Sequence, residues 1–94
     1  ESPAAINPRL QGVSIGEIDE NSPYYGRLKG VVVAGIDRAS HAWTSGMRKG
    51  DIITSVNRGA IGNLSEFLKS VDGKKGALLL RIVRGRSAAF LVIK

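Results

Sequence analysis

Apolar residues in this chain come in short, largely β-branched runs, each closed within a few residues by glycine, asparagine or aspartate. Such runs read as strands, and one segment alone carries a helical apolar period. The pattern therefore restricts the chain to a small sheet with a minor helical share. Val13-Ser14-Ile15-Gly16-Glu17-Ile18 alternates apolar with small or polar residues, the period of a half-buried strand. Val31-Val32-Val33-Ala34-Gly35-Ile36 is nearly continuous and β-branched, the mark of a buried strand. After the turn Gly50-Asp51 comes a strand at Ile52–Val56, and Asn57-Arg58-Gly59 turns into a short strand at Ala60-Ile61. Two last strands, Ala77–Val83 and Ala88–Ile93, form a hairpin across Arg84-Gly85-Arg86-Ser87.

Two helices fit between these runs. Ser40 is placed to accept the free amide hydrogens of a short helix, which Gly46 stops in the left-handed conformation. Asn63 caps a second helix, with Glu66 three residues later as its capping-box partner. There Leu64, Phe67, Leu68 and Val71 fall at i, i+3, i+4 and i+7 and form one apolar stripe. The polar stretch Asp19–Lys29 is a long loop. Residues 1–8, with two prolines and no period, read as a linker to a domain spanning 9–94. The order is strand, strand, short helix, strand, short strand, long helix, hairpin. It predicts an α+β fold, a small, partly open β-barrel or sandwich capped by two helices.

The 94 residues make one domain, near the lower end of what buries a core without staples. With no cysteine, neither a disulfide framework nor a thiolate metal site is available. No apolar run approaches the ~18 residues that span a bilayer, and no basic-then-apolar leader opens the chain. The sequence reads as a piece of something larger, with no membrane insertion of its own. The net charge of +6 suits nucleic acid, anionic lipid or acidic peptide. The basic residues are scattered over proposed loops and turns, however, the tightest group being Arg81, Arg84 and Arg86. With few aromatics there is no stacking platform, so no nucleic-acid partner is expected.

Several residues invite a chemical reading. His41 is the sole histidine, but it sits at a helix start, and no serine carries a nucleophile-elbow signature. No catalytic residue is expected. Asp51, following Gly50, is expected to satisfy turn amides. No Asp/Glu/His cluster has ligand spacing, so neither a metal nor another cofactor is expected. Trp43 either packs over the short helix or stands out as a contact anchor. Tyr24 and Tyr25, paired on the long loop, lean towards a partner surface.

The stretch Gly30-Val31-Val32-Val33 … Ala39-Ser40-His41-Ala42 … Ser45-Gly46-Met47-Arg48-Lys49-Gly50-Asp51-Ile52-Ile53 … Val56-Asn57 … Ile61 resembles the PDZ core of HtrA/Deg-type serine proteases. Asn63-Leu64-Ser65-Glu66-Phe67-Leu68 is similar to the helix of that family, and Val83-Arg84-Gly85 to its final hairpin. Pro8-Arg9-Leu10-Gln11-Gly12 resembles the opening of the second of two PDZ modules, and the chain stops after its last strand as those proteases do. The resemblance implies the bacterial, circularly permuted strand order. It also implies a non-catalytic module of a periplasmic protease-chaperone, whose protease domain lies elsewhere. A peptide would add to the strand at Val13, Ser14 and Ile15, faced by Leu64, Leu68 and Val71. Backbone amides at Leu10, Gln11 and Gly12 would meet the peptide's terminal carboxylate, with Arg9 adding charge. Eukaryotic PDZ domains have Gly-Leu-Gly-Phe at that loop. Here Gln11 replaces an apolar residue and one glycine remains. The implied partners are unfolded or C-terminal hydrophobic peptides, and other PDZ or protease domains of the same protein in a homo-oligomer. Tyr24, Tyr25 and Trp43 are the candidate assembly contacts. The alternative is a peptide-binding PDZ from another bacterial envelope system, an intramembrane protease or a secretion component.

Overall fold

A computed structural model of the chain describes residues 8–72 and 76–93. A 3-10 turn at Pro8–Leu10 leads into β1 (Val13–Glu17), β2 (Val31–Ile36), helix α1 (His41–Thr44), β3 (Ile52–Val56) and β4 (Gly59–Ala60). Helix α2 (Leu64–Val71), β5 (Leu78–Arg84) and β6 (Ser87–Ile93) complete the fold. The element order expected from the sequence is the order found. The expected linker falls outside the described residues except for Pro8. All strand pairings are antiparallel, in the order β1-β2-β3-β5-β6, with β4 paired to β3 off that path. Among the described residues the sheet does not close, and β1 and β6 are the outermost strands of that path.

The core forms where the strand and helix periods agree. Leu78, Leu80 and Ile82 alternate inward along β5, as Val31 and Val33 do along β2, and all five are buried. Phe67 and Val71 of α2 close over them with no exposed surface. Gly30, just before β2, has φ +146°, and a Cβ there would lie 2.1 Å from the Ile53 carbonyl oxygen. Only glycine allows β2 and β3 to approach so closely at that point.

The caps follow the sequence with one correction. Ser40 Oγ accepts from Trp43 N at 3.1 Å and Gly46 follows α1 at φ +111°, as read. Asn63 Oδ1 accepts from Glu66 N at 2.9 Å. Glu66, however, does not return a bond to Asn63: its carboxylate accepts from Gly62 N at 2.6 Å. Asn63 is already extended at φ −161°, and the amide of the preceding glycine is the one within reach. At the β3–β4 turn Asn57 and Arg58 both take positive φ, 49° and 72°, the two-residue left-handed hairpin. Asn57 holds that turn against β5 by bonding both backbone groups of Leu79, at 2.7 and 2.9 Å.

Candidate functional site

Edge strand β1 hydrogen-bonds to β2 on one side, and α2 packs along its other flank. A bulge between Ser14 and Ile15 shifts the register of this pairing. Ile15, Leu64 and Leu68 are half-buried and rest against the core. The result is a groove with an apolar wall and a strand edge. At one end the Glu17 carboxylate reaches across to accept from the backbone N of Leu64, the first residue of α2. At the other end the turn Gln11-Gly12 precedes the strand. Gly12 stands at φ +83°, its carbonyl accepts from Asp37 N at 2.8 Å, and an added Cβ would press on Asp37 and Ser40 at 3.0 and 3.1 Å. That turn is therefore fixed by the connection between β2 and α1.

The structure places the expected groove residues unequally. Ser14, Gln11 and Gly12 are exposed and Arg9 is half-buried. Leu10 and Val13 bury their side chains in the core, so only their backbones face the strand edge. Val71 is likewise wholly buried, which removes it from the groove wall. The reason lies in the helix itself. At about 100° per residue, Leu64 and Leu68 occupy one rim of the stripe, and Phe67 and Val71 the other. The rim beneath β1 lines the groove, while the other faces the core.

Of the three aromatic residues expected at an assembly surface, two have intramolecular partners. The Tyr24 hydroxyl accepts from Gly85 N at 2.9 Å and donates to Gly85 O at 3.4 Å, tying the long loop to the β5–β6 turn. Trp43 is half-buried, with the Arg48 guanidinium 3.7 Å from its ring centroid and that of Arg38 at 5.6 Å. Between packing and protrusion, Trp43 is on the packing side. Tyr25 is 57% exposed.

Sequence reasoning missed the polar hub beside Trp43. Asp51 is 1% exposed and accepts from Arg48 N at 2.9 Å, the turn amide expected of it. It also forms a bidentate pair with Arg84, at 2.8 Å from Nε and 2.7 Å from Nη2. Arg84 donates further to Gly46 O at 2.8 Å. Arg48 Nη1 donates to Trp43 O and Met47 O, at 2.9 and 2.7 Å. The hydrogen bond with Asp51, chiefly, raises the Arg84 pKa above the ordinary arginine value. His41, exposed, is the first residue of α1.

An edge strand beside an apolar helix rim offers main-chain hydrogen bonds along its length and shape at the side-chain positions, the equipment for strand addition. Residues 3–83 match the family model of the PDZ domain, and the chain belongs to that family. Its curated relatives narrow the setting. It is 31% identical to the periplasmic serine endoprotease DegP of Escherichia coli over 95% of this chain and 21% of that protein. It is 28% identical to the periplasmic pH-dependent serine endoprotease DegQ of the same species, over 95% of the chain and 19% of that protein. The chain thus spans about a fifth of the curated relatives it matches. Among solved structures, the HtrA3 PDZ domain bound to the phage-derived ligand FGRWV superposes with a TM-score of 0.74 at 25% identity, covering 87% of this chain and 79% of that one. An HtrA-type protease, AlgW, solved with a decapeptide, superposes at 0.73 with 19% identity, over 88% and 27%.

Proposed function

We propose that this PDZ domain binds the C-terminal end of unfolded or extended polypeptides in the groove between β1 and α2. The observation that carries this reading is the outer edge of β1, unpaired among the described residues and lying directly alongside α2, with Ile15, Leu64 and Leu68 half-buried between them. A peptide pairing there with its terminus at Gln11-Gly12 runs antiparallel to β1 and sets an apolar last residue against Leu68. The relatives named as periplasmic endoproteases support the wider setting, a module that tethers substrate for a separate protease domain in the periplasm; its place as the second of two PDZ domains rests on the resemblance of Pro8-Arg9-Leu10-Gln11-Gly12 alone. Assembly of copies through Tyr24 and Trp43 gains no support from the geometry, because both side chains already have partners within the domain.

The test is a titration of the chain with a pentapeptide ending in valine, followed by amide chemical shifts. Shifts along Val13–Glu17 and Leu64–Leu68 are expected, with affinity on the order of tens of micromolar or poorer, because a short strand addition has few desolvated contacts to set against its ordering cost. Leu68→Glu should abolish binding, and a C-terminally amidated peptide should bind more weakly. No shift on β1 at millimolar peptide would defeat the proposal.

A further inference from the structure

A second concavity lies on the outward face of the sheet, reaching the start of α2 at Asn63 and Glu66, and its lining is rich in cations. The strand registers build its floor. Ala60 stands opposite Ser55, Ser55 opposite Arg81, and Arg81 opposite Phe90, so the four make one row across β4, β3, β5 and β6. At about 4.8 Å between strands the row is roughly 14 Å long. One end, Ala60 and Ser55, is small and flat, while the other carries Phe90, 64% exposed. Around it stand Arg27 and Lys29 from the long loop, Arg58 from the β3–β4 turn, and Arg81 itself. All four cations are exposed, and none takes part in an ion pair among the described residues. The single acidic side chain of the lining, Glu66, is already engaged by Gly62 N. Charges that look scattered along the chain are therefore gathered on one face by the fold.

We propose that this cleft binds an extended acidic polypeptide segment, independently of the groove between β1 and α2. Charge complementarity selects the sign, since four cations set against the one carboxylate of Glu66 leave the cleft net positive and raise the local concentration of anions. Shape selects the class of partner. A row of roughly 14 Å holds about four extended residues, at about 3.3 Å each. The flat floor at Ala60 and Ser55 admits a backbone, and Phe90 with Val83 offers a seat for one apolar side chain. A bilayer surface is flat and would meet the rim of a concavity rather than its floor. A single strand held by stacking uses successive aromatic platforms, and the cleft has a single phenylalanine.

The probe is a doubly capped peptide, acetyl-Asp-Glu-Leu-Asp-Glu-amide, which has no terminal carboxylate to place at Gln11-Gly12. Titrated into the chain, it should shift the amides of Lys29, Ser55, Arg58, Arg81 and Phe90. Arg58→Glu and Arg81→Glu, both at exposed positions, should each weaken binding by about three- to tenfold, and raised salt should weaken it further. Leu68→Glu should leave it unchanged, so this site and the groove can fail separately. Unaltered affinity in both charge-reversal variants overturns the proposal, as do shifts confined to β1 and α2. So does tighter binding of a single-stranded oligonucleotide or of phosphatidylglycerol vesicles through the same residues.

Discussion

The hub at Asp51 and the groove at β1 handle polar groups in opposite ways. Around Asp51, hydrogen bonds from Arg48 and Arg84 converge on a buried carboxylate and on the carbonyls of Trp43, Gly46 and Met47, locking the α1–β3 loop to the end of β5. Across the groove the side-chain tie is the bond between Glu17 and Leu64, at one extremity. The domain concentrates its directional contacts where two loops must hold still. Along β1 it presents an edge whose hydrogen-bonding capacity is directed outwards. Rigidity and receptivity are thus divided between two sides of one small core.

Removing the carboxylate of the hub tests this division most severely. Asp51→Ala takes away a bidentate, charge-assisted pair and leaves Arg48 N without its acceptor, a loss of about 2–3 kcal/mol. For a domain of this size that lowers Tm by about 10–20 °C, measurable by thermal denaturation. Peptide binding to the groove should survive at temperatures where the variant remains folded; a parallel loss of both would show that the two regions are not separate. Arg48→Ala removes two hydrogen bonds to carbonyls and the stacked cation over Trp43, and about 1–2 kcal/mol should be lost in urea unfolding, again with peptide affinity unchanged. Arg84→Lys keeps the charge but loses the bidentate fork, and about 1 kcal/mol is expected. The smallest change should come from the groove side. In Glu17→Gln an amide oxygen still accepts from Leu64 N, so stability should move by no more than about 0.5 kcal/mol. A larger drop there would mean that the groove is braced as firmly as the hub.

How far these regions were legible in the sequence follows from the range of the interactions. Strands, turns and caps depend on residues within a few positions of one another, and Ser40, Gly46, Asn63 and the left-handed Asn57-Arg58 turn all state their roles locally. The apolar stripe of α2 was equally plain. Which rim would meet the core depends on the helix's rotation over the sheet, and the periodicity that groups Val71 with Leu68 carries no such information. Asp51 signalled a turn, but its strongest partner is Arg84, 33 positions along the chain and masked there as one of three arginines at a hairpin. The cationic cleft is the extreme case. Arg27, Lys29, Arg58 and Arg81 come from three separate segments, and only the pairing of β2 with β3 and the registers of β3, β4 and β5 bring them round one floor.

If the groove takes a peptide as proposed, the tie between Glu17 and Leu64 would make it a measuring device. Any strand added to β1 from the Gly12 end has five residues of edge, about 16 Å, before it reaches a carboxylate bridge spanning the channel. Counting would start at the terminus and stop at that bridge. A client would be judged by its last handful of residues, whatever precedes them, and upstream sequence would have to climb over the bridge into solvent. Affinity should therefore rise with peptide length up to about five residues and then level off. In Glu17→Ala, where the bridge is gone, the plateau should move to longer peptides.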